Sequence, residues 1–109
     1  LFVMMADGSV RNDYTIKIAN KTHEKKNFEI TLSSPAEATF KVDSYMSTRG
    51  IDANHLPVSQ DSVGHFKVYV MLSKDFLDKS TDGRSLIDFV IKDKSSDESR
   101  KVQAIFIGK

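Results

Sequence analysis

Hydrophobic and polar residues alternate along most of this chain. Between Asn12 and Asn20, Tyr14, Ile16 and Ile18 fall on one face of an extended backbone while Thr15 and Lys17 fall on the other. That is the two-residue period of a half-buried strand, predicted over Val10–Asn20. After an all-polar connector, residues 21–27, Phe28, Ile30 and Leu32 repeat the pattern around Glu29 and Thr31. The two runs are expected to pair as an antiparallel ribbon with one apolar face. Such a ribbon is not stable alone in water and needs a second sheet to cover it.

The remaining chain reads as that cover. Ser34-Pro35 ends the second strand, because proline has no donor for a ladder. Ala38, Phe40 and Val42 form a third run that closes near Asp43-Ser44. The pattern weakens over residues 45–61, expected to be a loop with a short edge strand around Ile51 and with Leu56 and Val58 as anchors. Phe66, Val68, Val70 and Leu72 give the cleanest alternation, with Lys67, Tyr69 and Met71 opposite. Phe76-Leu77 sits in a polar crossing, residues 73–84, as an apolar plug or one turn of helix. Ile87, Phe89 and Ile91 face one way on the next strand, and Leu86 and Val90 on its other face point to a central position. A charged turn over residues 93–100 leads into a last strand, residues 101–107.

Residues 1–9 are expected to be a linker or short edge strand, with Asp7-Gly8 as a turn supplying positive φ. Residues 10–109 are then one domain. About seven strands in about 100 residues, with no helical run of any length, predict an all-β fold: an immunoglobulin-like antiparallel two-sheet sandwich. A partly open barrel is the alternative.

Composition narrows the chemistry more than the fold. A chain of 109 residues buries roughly 60–70% of the surface its unfolded form exposes, enough for a core without staples. It has no Cys, which removes disulfides, thiol catalysis and thiolate metal sites but leaves the compartment open. Sixteen Lys and Arg against fifteen Asp and Glu leave a net charge of +1, too little for a general attraction to nucleic acid, which is not expected as a partner. No apolar run approaches the ~20 residues of a membrane span, and residues 1–6 lack the flanks of a signal peptide; the chain as given is expected to be soluble. A start at Leu1 is what a piece of a longer protein would show.

The short motifs are weak. His23-Glu24-Lys25-Lys26-Asn27 begins like the zinc-peptidase helix motif, but Asn27 stands where the second His belongs. Asp78, Ser80 and Asp82 followed by Gly83 space oxygen ligands like a calcium loop, but the twelfth position is Phe89. Asn20-Lys21-Thr22 satisfies the glycosylation acceptor rule, and Lys21, Lys25 and Lys26 make a small basic tip without aromatics to stack nucleotides. No glycine-flanked serine or phosphate-cradling loop is present, so no catalytic residue is expected. His23, His55 and His65 are scattered, and read chiefly as solvated side chains.

Asp7-Gly8, Arg11-Asn12 and the run from Tyr14 through Ile18 to Asn20-Lys21-Thr22 resemble the start of the C-terminal immunoglobulin-like domain of FixG-type proteins, the bacterial cytochrome c oxidase accessory family. Phe28 to Leu32 continues the likeness, and Phe106-Ile107-Gly108 agrees loosely. The resemblance implies a parent protein with transmembrane helices and a cytoplasmic part whose cysteines bind iron–sulfur clusters. That parent would assist assembly of a haem-copper oxidase through redox handling of copper. This domain would then lie on the periplasmic side of the inner membrane, attached through upstream segments, with no cofactor of its own.

Two functions follow from that likeness. One is a non-catalytic interaction domain that binds an oxidase subunit, a copper donor or its own copies through strand edges or loops. The other is copper handling by His23, His55 or His65, helped by Met4, Met5 or Met46, since copper accepts imidazole and thioether ligands. A free-standing adhesin or sugar-binding sandwich is a third reading, weakened by the lack of Trp.

Overall fold

The computed structural model describes residues 2–44, 50–51, 55–79, 82–96 and 98–108. These contain strands β1 (Phe2–Met4), β2 (Val10–Asn20), β3 (Lys26–Ser34), β4 (Thr39–Ser44), β5 (Gly50–Ile51), β6 (Leu56–Val58) and β7 (Ser62–Leu72). A short helix α1 (Lys74–Asp78) and strands β8 (Arg84–Asp93) and β9 (Ser99–Ile107) complete the chain. One sheet has the order β1-β2-β7-β4-β5 and the other β6-β3-β8-β9, every pairing antiparallel. The molecule is therefore an all-β two-sheet sandwich of immunoglobulin type. Among the described residues nine strands replace the expected seven or so, because β1 and β6, three residues each, are too short to show a period.

One expectation is overturned. β2 and β3 are not a hairpin: β2 pairs along its whole length with β7, from Val10↔Leu72 to Asn20↔Ser62, while β3 pairs with β8 and β6 in the opposite sheet. Alternation identifies a half-buried strand but not its neighbour. Two strands with one apolar face each satisfy the same pattern by facing each other across a core.

The interior is supplied by the alternating positions. Ile16, Ile18, Val68, Val70 and Leu72 of the first sheet meet Ile30, Ile87, Phe89 and Phe106 of the second, all buried. The Tyr14 ring meets Phe89 edge-on, with centroids 5.8 Å apart, a favoured aromatic geometry. Phe76-Leu77 lies in α1, whose N-terminus is capped by Ser73 Oγ accepting from the Phe76 N–H at 3.2 Å. Leu77 is buried against Gly108, where an added Cβ would lie 2.5 Å from its Cδ2.

Even-numbered residues of β2 face inward, and among them are two buried asparagines, Asn12 and Asn20. Asn12 Nδ2 donates to the Ile107 carbonyl at 2.9 Å, and its Oδ1 accepts from the Ile107 N–H at 2.9 Å. Tyr14 Oη donates to the Ile105 carbonyl at 2.9 Å. Both side chains thus reach from one sheet to the edge strand of the other. Burial pushes the Tyr14 hydroxyl up to about 12.

Asn20 organises the corner after β2. Its Nδ2 is aimed at the carbonyls of Glu24, Val58 and Ser59, and its Oδ1 accepts from the N–H and hydroxyl of Thr22. This lashing carries the chain from one sheet to the other. It also absorbs the glycosylation motif, whose acceptor nitrogen is buried and hydrogen-bonded.

Candidate functional site

The structure separates the three histidines. His23 lies on the connector after β2, almost fully exposed, with Nδ1 3.3 Å from Asp61 Oδ2. His55 precedes β6, and His65 sits on the outer face of β7 opposite Lys17. Among the described residues, no three His, Cys, Asp or Glu side chains converge to hold a metal ion. Met4 and Met5 are exposed at the β1 end, and Met46 lies outside the described residues.

The other motifs dissolve into structure. In the calcium-like loop, Ser80 and Thr81 lie outside the described residues. Asp82 Oδ1 accepts from the Arg84 N–H at 3.0 Å, Asp78 pairs with Lys74, and Phe89 is in the core. His23 begins no helix, since the connector leads directly into β3. Lys26 also leaves the expected basic tip: as the first residue of β3 it places Nζ 2.8 Å from Asp93 Oδ2, at the end of β8.

Asp93 is buried, and sequence alternation did not reveal it because its partner is 67 residues away. Its second oxygen accepts from the N–H and hydroxyl of Ser95 at 2.9 and 2.7 Å. The Lys26 hydrogen bond, assisted by Ser95, holds the Asp93 carboxyl down at about 2, and Asp93 in turn raises Lys26.

Beside this ion pair the sandwich has an open flank. β1 covers only residues 10–12 of β2, and β9 is the edge of its sheet. The β2 and β9 edges are fastened at one end by Asn12 and Tyr14 and part toward the other. There a groove of about 590 Å³ opens, with Ile18, Phe28 and Ile91 in its lining and Lys17, Lys21 and Arg100 among its charged residues. Among the described lining residues, no nucleophile is paired with a base. It offers backbone hydrogen-bonding groups, apolar surface and charge, the chemistry of polypeptide recognition.

A second surface lies on the outer face of the same edge. Leu86 and Ile105 are cross-strand partners, 60% and 52% exposed, and Ile107 follows on the same face at 38%. Alternation placed an apolar residue there without telling which face was covered.

Comparison with known proteins agrees with this architecture. The sequence matches the family of the immunoglobulin-like fold at the C-terminus of FixG over residues 1–109; the family description ranks FixG provisionally among oxidoreductases. It is 34% identical to nitrogen fixation protein FixG of Rhizobium meliloti over 105 residues, 96% of this chain and 19% of that protein. It is 31% identical to protein RdxB of Cereibacter sphaeroides over 48 residues, 44% of this chain and 10% of that one. The chain thus spans about a fifth or less of these relatives' lengths. In fold it is similar to the crystal structure of a FixG-related protein from Vibrio parahaemolyticus, with a TM-score of 0.69, 22% identity, and coverage of 94% of this chain and 82% of that one. The turn at Gly8, the fasteners Asn12 and Tyr14 and the corner at Asn20 all lie within the matched range, residues 1–109, and the chain belongs to the FixG C-terminal immunoglobulin-like domain family.

Proposed function

We propose that this domain is a non-catalytic docking module of a FixG-type accessory protein, on the periplasmic side of the bacterial inner membrane. Its partner is a polypeptide met during assembly of a haem-copper cytochrome c oxidase: an oxidase subunit, a copper donor or a second copy. Attachment to the membrane, and iron–sulfur chemistry, belong to other segments of the parent. A chain without Cys has no thiolate with which to hold such a cluster.

The observation that carries this reading is the open β2–β9 flank, which presents strand backbone beside a lined groove. Copper handling has less behind it, because the three imidazoles stand apart and a lone imidazole is a weak site. The test is to delete these 109 residues from the full-length protein and measure the assembled oxidase in the membrane and the protein's association with its partners. Loss of both is expected; unchanged assembly and association would refute the docking role.

A further inference from the structure

We propose that the occupant of the β2–β9 groove is an extended, acidic segment of a partner polypeptide that adds to β9 as a further strand of its sheet. This rests on the docking reading above and names the chemistry of the partner.

The ladder positions follow from the fasteners. Ile107 turns both its N–H and C=O away from β8 to the Asn12 amide, and Ile105 turns its C=O to Tyr14. In an antiparallel pair these directions alternate, so Gln103, Lys101 and Ser99 also turn their N–H and C=O to the open side. No strand meets them among the described residues. Asn12 and Tyr14 act as a stop at one end, leaving a five-residue stretch for a partner's backbone.

Charge and surface select the occupant. Lys26 and Asp93 pair with each other. Among the described residues the remaining lining has three cations, Lys17, Lys21 and Arg100, against the carboxylate of Glu98. A segment with acidic residues is therefore favoured, and its inward side chain meets Ile18, Phe28 and Ile91. A second copy fits poorly: Lys101 is already paired with Asp88 at 3.5 Å, and β9, with Arg100 and Lys101 and no carboxylate of its own, would bring no acidic group to the cations of the groove.

The test is amide exchange of the isotope-labelled 109-residue chain during titration with capped peptides of about seven residues, one alternating valine with glutamate, the other valine with lysine. The glutamate peptide is expected to slow exchange at Ser99, Lys101 and Gln103, and to bind about tenfold more tightly than the lysine peptide. Gln103→Pro should abolish binding and lower the melting temperature only slightly: it removes one exposed hydrogen bond, from Gln103 Nε2 to Asp88 Oδ1 at 3.1 Å, and proline is tolerated at an edge position whose N–H faces out. No slowing at these three amides with millimolar glutamate peptide, or equal binding of both peptides, overturns the proposal. So does slowing that appears without peptide as protein concentration rises, which would make a second copy the occupant. If the peptides fail while deletion of the domain still impairs oxidase assembly, this inference falls and the docking reading stands.

Discussion

Asn12 holds Ile107 by both backbone groups: its amide donates to the carbonyl and accepts from the N–H, each at 2.9 Å, across 95 residues of sequence. A side chain here imitates the neighbouring strand that β9 lacks, and ties the two sheets at one end of the flank. Asn12→Ala would leave both Ile107 groups without this partner in a part-buried place. It is expected to cost about 1–3 kcal/mol, read as a lower denaturation midpoint at constant slope, with faster exchange of the Ile107 amide.

Tyr14 must be protonated to donate to Ile105. Its folded-state value, about 12, lies above the ordinary 10, so its contribution is complete below pH 10 and is lost as pH rises through 12. Lys26, also raised, weakens in the same direction. Stability measured from pH 9 to 12 should fall, and Tyr14→Phe should remove the Tyr14 share of that fall while lowering stability at pH 8 by about 1 kcal/mol.

The Lys26–Asp93 pair makes the opposite prediction. Asp93 is lowered to about 2, so the unfolded chain binds the proton more readily. The stabilisation is complete above about pH 5 and is lost as pH falls from about 4 through 2. After allowance for solvent screening its size is about 1–2 kcal/mol. Asp7, lowered by its hydrogen bonds from Ser9, titrates in the same direction, so the clean measurement is the difference between wild type and Asp93→Asn across pH 2 to 6.

Copper binding gives a separate check. With His23, His55 and His65 on different elements, each offers a single imidazole. Titration with reduced and with oxidised copper is expected to show nothing tighter than about 1 µM. A tighter site lost on substituting any of the three would favour copper handling over docking.

Much of the fold was legible because alternation is a local property. Tyr14, Ile16 and Ile18, and Phe66 through Leu72, declared both strand and buried face, and proline marked the end of β3. What could not be read was partnership. The β2 and β3 patterns look the same whether the strands are neighbours or face each other, and only the contacts of Asn20 with residues 24, 58 and 59 show the chain crossing over. Asn12 and Asn20 share parity with the apolar face, which placed them inward, but their roles depend on carbonyls far along the chain. The open flank was still less accessible. It exists because β1 stops after covering three residues of β2, a length too short for any periodic signal.

The residues on which the sequence resemblance was drawn therefore fasten the sandwich, and the proposed docking surface lies beside them, along β9. The most direct measurement is the amount of assembled cytochrome c oxidase in membranes of a bacterium whose FixG-type protein carries Gln103→Pro. Oxidase is expected to fall to the level seen on deleting the domain, while the purified variant domain, short of the exposed Gln103–Asp88 hydrogen bond, melts within about 5 °C of wild type. Wild-type oxidase levels with Gln103→Pro, in a strain where deletion of the domain does impair assembly, would contradict docking along β9.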